Sequence, residues 1–434
     1  MNPRKTIRRL ADVTPRQFAL AMAVLLTVVG LQYTFKVLDL RSGKQDRSAI
    51  LRWREQLLQL DAGENIYEKF TYPNPPIMAL MLRPLADLPP LLGALTWFAI
   101  KVVLTILSFA MLIGVIQSDA EPFPPWAIGL AVLLSLRPIL GDLTHGNVNL
   151  LILFLVVAMI YAFQRGWDGA AGIILALAIA CKVTPALFVF YFAWKRAWRA
   201  LAGCVIGLIL FFVLVPGAVL GWSENWELLS SWVRQMIMPY VVGGVVTSDH
   251  PNQSLPGLVA RLLTMSPSFS AYVNDVYTPV EYHNWLTLSQ SAAAWIVKLA
   301  MASFAVLVAV RCRTPITQRS GWRLTAECGV IVLGMLLFSE RTWKHHCVTL
   351  AIPFAVLSHR LANAPGHRPR IIAVLAAAQL LMAATSTGLL PDDWAKLAQV
   401  YGAYTAAFTA LLIGLAAELR GTPRAPAAVA RLAA

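Results

Sequence analysis

The chain has 434 residues, of which 58% are hydrophobic and only 13% charged, with 36 Lys and Arg against 22 Asp and Glu for a net charge of +14. Soluble domains are roughly 45–50% apolar and about 25% charged, so this composition excludes a soluble globular protein and sets the membrane class. The basic excess reads as positive-inside bias and attraction to anionic headgroups, which excludes a nucleic-acid footprint as its meaning.

In chain order, the basic start MNPRKTIRR leads into an apolar run at 17–38 that is too long for a signal peptide and lacks a small-residue cleavage site. It is read as a retained first helix. Further runs near the ~20 residues needed to span a bilayer fall at 90–116, 200–220, 290–310 and 370–390. Shorter runs lie at 126–140, 147–163, 169–182, 184–194, 326–339, 345–360 and 402–418. The pattern predicts an all-α polytopic membrane protein with about 10–13 transmembrane helices. Residues 1–418 form one membrane domain and 419–434 a disordered cytoplasmic tail. Lys and Arg cluster at 4–9, 195–199, 311–323, 359–370 and 420–431, which puts these segments and both termini in the cytoplasm. The loop 117–125 dissents, with Asp119 and Glu121 and no Lys or Arg. The opposite, outer side then receives the polar and aromatic motifs.

The first outer loop, 39–89, places Asp39 and Asp46 just beyond the first span, where either is a candidate general base. Ile50, Leu51, Trp53, Leu57 and Leu58 share one face between 46 and 59, predicting an amphipathic helix along the membrane surface. Tyr72-Pro73-Asn74-Pro75-Pro76 is a rigid turn, and IMALMLRPLADLPP after it is apolar but too short to span, as a re-entrant dip. In HGNVN, His145 and Asn147 flank a Gly at the mouth of a span, with Arg137 and Asp142 just before as a candidate charge pair. Lys182, in KVTP, interrupts an apolar run, and a substrate phosphate would supply its counter-charge. The outer loop 221–289 holds NQSLPG, whose Asn252 and Gln253 suit sugar hydroxyls. SERTWKHH brings Arg341, Lys344, His345 and His346 to the end of a span, as phosphate ligands or leaving-group stabilisers. Consecutive histidines diverge by about 100° on a helix, and no HExxH or carboxylate cluster accompanies them, so no metal site is expected. The five cysteines are scattered without a CxxC pair and read as small buried hydrophobes.

The order of an Asp before a Leu-Leu pair, Tyr-x-x-x-x-Tyr-Pro-Asn-Pro-Pro, HGNVN, a Lys-x-Thr-Pro break, NQSLPG and Trp-x-His-His resembles glycosyltransferase family 87 over about residues 39–360. The resemblance implies a GT-C-type bundle with an amphipathic surface helix and re-entrant outer segments. It implies transfer of a hexose, mannose by family precedent, from a polyprenyl-phosphate sugar to a lipid-linked or glycan acceptor, with inversion and without a metal cofactor. It also implies an aspartate base about a dozen residues before Leu57-Leu58, which selects Asp46 over Asp39. Lys182, Arg341, Lys344, His345 and His346 would meet the donor phosphate, and Tyr72, Asn74, His145, Asn147, Asn252 and Gln253 the sugar or acceptor. The competing reading is a transporter or flippase of lipid-linked saccharides, which predicts inverted repeats and polar residues through both membrane halves. No repeat is evident, and the polar motifs fall on one side.

Overall fold

The computed structural model describes residues 14–38, 48–60, 62–70, 72–273 and 276–420. Asp39 and Asp46, and the tail from 421, lie outside the described residues. The fold is an α-helical membrane bundle. Pro15–Leu38, Pro90–Ile116, Pro125–His145, Trp198–Leu220 and Gln290–Arg311 are each long and apolar enough to cross a bilayer. Two bent pairs, at 344–383 and 392–418, raise the number to seven if each is one span. The remaining apolar runs form shorter helices, such as Asn149–Gln164 and Asp168–Cys181. Among the described residues, the count of 10–13 thus resolves into five to seven elements of spanning length and a set of shorter ones.

Local chemistry explains the breaks. The apolar runs 169–182 and 184–194 are divided at Lys182, which is extended (φ −160°, ψ 127°) before the 3₁₀ turn Thr184–Ala186. Pro185 in that turn has no N–H to continue a helix. Small residues then let Asp168–Cys181 approach Trp198–Leu208 closely: a Cβ on Gly172 would overlap Ala200 O, and one on Gly203 would overlap Gly169 O.

The amphipathic segment is a helix, Ala49–Leu60, but it does not turn its apolar face to lipid. Ala49, Ile50, Trp53, Leu57 and Leu60 are buried, and the helix packs on Pro76–Asp87. That correction follows from Pro76–Asp87, which supplies the apolar partner expected from the bilayer. Within this helical fold, the stretch 221–289 also carries one small β element that the sequence pattern does not predict. Phe269–Val273 and Val276–Glu281 pair as an antiparallel hairpin, with Ser270 opposite Pro279 and Val273 opposite Val276.

The two ends of the bundle carry different chemistry. At one end Glu418 binds Arg360 (3.1 Å), His367 (3.0 Å) and Arg370, while Lys195 meets Glu327 at 2.7 Å and Arg319 pairs with Asp168. The dissenting loop 117–125 belongs here, because Glu121 pairs with Arg360 at 3.1 Å. Its acidic character complements the basic end. The motif segments gather at the other end.

There the loop containing His250 is held by Arg261, fully buried, whose guanidinium donates to the carbonyls of Ser248 (2.7 Å), Asp249 (3.0 Å) and Val400 (2.8 Å). Burial pushes His250 down to about 4, against the opposing hydrogen bond to Ser268 O. The unfolded imidazole takes up a proton near pH 6.5 and the folded one only near 4. His250 therefore contributes stability fully above pH 6.5, and that contribution falls as pH drops toward 4. The gap in melting temperature between pH 7.5 and 5 should be smaller in His250→Gln than in wild type; an equal gap removes His250 from the acid sensitivity.

Candidate active site

The centre of the site is the turn ending Pro125–His145. Gly146 takes a left-handed conformation (φ +70°), and the last carbonyls of the helix need partners from outside it. Three side chains provide them. Lys101 Nζ donates to Asp142 O (2.6 Å) and Leu143 O (3.4 Å), Lys36 Nζ to Thr144 O (2.9 Å), and Trp97 Nε1 to Gly146 O (3.1 Å). Two of the donors are cations, which suit the negative end of a helix. His145 is thereby presented from a fixed backbone. A Cβ on Gly146 would overlap Ser48 Oγ and lie 3.4 Å from Ala49 N, where Ser48 is bound to Tyr33 Oη at 2.8 Å. Gly146→Ala should therefore cost ~1–3 kcal/mol in backbone strain alone and lower turnover with it. A thermal melt and a transfer assay check this, and an unchanged melting temperature would contradict the packing.

Beside this turn lies a cavity of about 280 Å³ lined by Lys36, Arg137, Thr144, His145, Lys344, His345 and Tyr404, among others. Its charge is one-signed: three cations and two imidazoles line it, with no carboxylate among its described walls. The His145 and His345 rings lie 4.1 Å apart, centroid to centroid, and Asn147 Nδ2 is 3.4 Å from His345 Nε2. Lys344 Nζ donates to Thr385 O at 2.7 Å. Arg137 donates to Met382 O and, at 3.2 Å, to Thr385 Oγ1, and its guanidinium stands 6.0 Å from the Tyr404 ring. The end of Arg368–Ala383 and the turn after it thus fix both cations with neutral oxygens, and no carboxylate among the described residues lines the cavity with them. Arg137 does not pair with Asp142 as expected.

The consecutive histidines part company. Lys344–Leu350 is a 3₁₀ helix, with about three residues per turn, so neighbours point ~120° apart. His345 faces the cavity, while His346 stacks on Trp343 (5.9 Å, 18°) and lines a narrow second cleft of about 20 Å³ with Lys182, Asn149 and Thr342. In that cleft Lys182 Nζ donates to Asn149 Oδ1 at 2.6 Å.

Other expected site residues are placed elsewhere. Arg341 turns away from both cavities, donating to Thr247 Oγ1 at 2.8 Å and lying 3.6 Å from Glu340. Asn252 and Gln253 are corrected from sugar ligands to backbone latches. Asn252 donates to Thr247 O (2.7 Å) and Glu340 O (2.9 Å) and accepts from Thr342 N and Ser254 N. Gln253 donates to His250 O and Gln399 O and accepts from Tyr404 N. Both are fully buried, so neither amide is offered to a ligand. Tyr72 is also fully buried, edge-on to Trp53 at 5.7 Å, and lines neither cavity. Asn74 beside it is 7% exposed and gives its carbonyl to Tyr67 Oη at 2.9 Å. Among the described residues, no group of three or more His, Cys, Asp or Glu is placed to hold a metal ion.

Residues 70–339, more than half of the chain, match glycosyltransferase family 87. The chain belongs to glycosyltransferase family 87. It is similar to two curated polyprenol-phosphate-mannose-dependent α-(1-2)-phosphatidylinositol mannoside mannosyltransferases. One, from Mycolicibacterium smegmatis, is 27% identical over 81% of this chain and 77% of that protein. The other, from Mycobacterium tuberculosis, is 26% identical over 82% and 78%. A distant likeness also joins it to the crystal structure of ArnT from Cupriavidus metallidurans bound to undecaprenyl phosphate. That match has 15% identity and a TM-score of 0.39 over 92% of this chain and 77% of that one.

In this family-87 glycosyltransferase, Tyr72, Asn74, His145, Asn147, Lys182, Asn252 and Gln253 fall inside the matched stretch. Asp39, Asp46, Arg341, Lys344, His345 and His346 fall outside it. Sequence reading missed Lys36, Lys101 and Tyr404. Lys101 had a signal: it is the lone charge in the 27-residue apolar helix Pro90–Ile116, and it is fully buried. Lys36 and Tyr404 sit at helix ends, where a Lys or Tyr is ordinary interface chemistry, so composition alone does not single them out.

Proposed function

We propose that this family-87 enzyme moves a hexose, mannose by the names of its relatives, from a polyprenyl-phosphate sugar to a hydroxyl of a lipid-linked or glycan acceptor. The reaction takes place at the outer face of the cell membrane. The observation that carries the reading is the cationic cavity between the His145 turn and Lys344-His345. Supporting the orientation, the opposite end of the bundle holds the basic segments around Lys195, Arg319 and Arg370, as a cytoplasmic end would.

The chemistry follows from charge. A sugar phosphodiester carries one negative charge, and the departing polyprenyl phosphate carries two. Charge therefore grows on the phosphate as the C1–O bond breaks, and Lys36, Arg137 and Lys344 are fixed where it would grow. The acceptor oxygen attacks C1 from the opposite face, so the configuration inverts. Its proton goes to a carboxylate, assigned here to Asp46 with Asp39 as the second choice. Lys36, before that segment, lines the cavity, and Ser48, after it, lies against Gly146. In this reading side-chain cations take the part a divalent metal plays elsewhere.

Purified protein supplied with labelled polyprenyl-phosphate-mannose, with GDP-mannose, and with a glycolipid acceptor tests the reading. Transfer should come from the lipid donor alone, persist in EDTA, and give a product of inverted anomeric configuration. Transfer from the nucleotide sugar would overturn the reading. So would passage of intact lipid-linked sugar across a proteoliposome without turnover.

A further inference from the structure

The Lys182 ammonium is the visible end of a buried polar chain. Lys101 Nζ lies 3.4 Å from Asp142 Oδ2; Asp142 Oδ1 accepts from Asn149 Nδ2 at 2.8 Å; Asn149 Oδ1 accepts from Lys182 Nζ at 2.6 Å. Lys101 and Asp142 are fully buried and Asn149 is 2% exposed. The residues come from three different segments, Pro90–Ile116, the end of Pro125–His145 with the start of Asn149–Gln164, and the break at Lys182.

Each link fixes the next. A carboxylate only accepts and an ammonium only donates, so an Asn between them has one permitted orientation: NH₂ toward Asp142, oxygen toward Lys182. Asp142 thereby dictates which face of the Asn149 amide Lys182 meets. Lys101 holds Asp142 through its carboxylate and its backbone carbonyl, the latter at 2.6 Å. The chain also carries two ammonium groups against one carboxylate, leaving one positive charge. Lys101 has three acceptors around it, whereas Lys182 has one among the described residues, so two of its three donors stay open. The surplus charge and the open donors are both at the Lys182 end.

We propose that Lys101 and Asp142 are positioning residues that act through Asn149 to hold the Lys182 ammonium, in the cleft it shares with His346, toward the donor phosphate in the neighbouring cavity that His345 lines. This rests on the lipid-phosphate reading given above. Removing the Asp142 charge frees the Asn149 amide to turn its NH₂ toward Lys182, and the ammonium loses its seat. The cost therefore appears in donor binding and only in the presence of Lys182.

The test is a double-mutant cycle on the full chain, reading polyprenyl phosphate affinity and the KM and kcat for the lipid-phosphate sugar. Lys182→Met should weaken polyprenyl phosphate binding ~10-fold, the worth of one charge-assisted hydrogen bond. Asp142→Asn should raise donor KM by a comparable ~10-fold with a smaller change in kcat, and add less than about twofold once Lys182 is Met. Lys101→Met/Asp142→Asn removes both buried charges together and keeps the comparison open if Asp142→Asn alone does not fold. It too should weaken donor binding only when Lys182 is present. Effects that multiply in full would overturn the proposal while leaving the donor reading intact, since Asp142 would then matter only to packing. A wild-type protein that binds no polyprenyl phosphate would overturn the donor reading, and the proposal with it.

Discussion

Lys344→Met is expected to lower kcat/KM for the lipid-phosphate sugar by ~10–100-fold, the worth of a hydrogen bond to a charged group at 1.5–3 kcal/mol. The side chain is already held by Thr385 O, so little ordering is needed when phosphate arrives, and among the described residues no carboxylate in the cavity wall cancels its charge. Arg137→Met should have an effect of similar size, because Thr385 and Met382 O hold the guanidinium in the same wall. The two come from different helices but share Thr385 as a partner, so their effects should not be additive. Because negative charge on the phosphate increases toward the transition state, kcat should fall along with donor affinity. Arg341→Met is the contrast. Its guanidinium is engaged by Thr247 and Glu340 away from the cavity, so steady-state kinetics should show at most a few-fold change. A larger loss for Arg341→Met than for Lys344→Met would contradict the site as drawn.

The other large effect is expected at the base. Asp46→Asn should lower kcat by ~10²–10⁴-fold, the range for loss of a positioned general base, with donor KM little changed. Asp39→Asn should cost far less. Both residues lie outside the described part of the chain, and the choice between them comes from the family's spacing to Leu57-Leu58. Single-turnover measurements with a saturating acceptor separate the chemical step from binding. Equal losses in the two variants would mean that neither acts alone as the base, and unchanged turnover in both would remove the aspartate base altogether.

Much of the fold was legible because the bilayer imposes simple rules. The long apolar runs fell within a few residues of Pro90–Ile116, Trp198–Leu220 and Gln290–Arg311, and the charge bias sorted the loops to two ends that the ion pairs around Glu418 and Glu327 keep separate. The site was legible in part. His145, Asn147, Lys344 and His345 do meet, and Lys182 shares a cleft with His346. What failed did so for a common reason: residue type does not state its partner. An uncharged amide beside an apolar helix reads the same whether it faces a sugar or, as with Asn252 and Gln253, ties three chain segments together through backbone groups. Asp142 was paired by proximity in sequence with Arg137, five residues away, while its partner Lys101 stands 41 residues earlier on another helix. The hairpin at 269–281 had a local signal in FSAYV and VYTPVE around Asn-Asp, which the weight of helix on either side obscured.

In the proposed reaction, the cavity between the His145 turn and Lys344-His345 receives the phosphate of a lipid-linked sugar. The most direct measurement is an experimental structure of the protein with polyprenyl phosphate bound. The phosphate is expected within hydrogen-bonding reach of Lys344 and Arg137 and beside His145 and His345, with Lys182 approaching from the His346 side and the prenyl chain leaving toward lipid. A phosphate seated at Arg341 and Glu340, or at the basic end around Arg360 and Arg370, would contradict this placement.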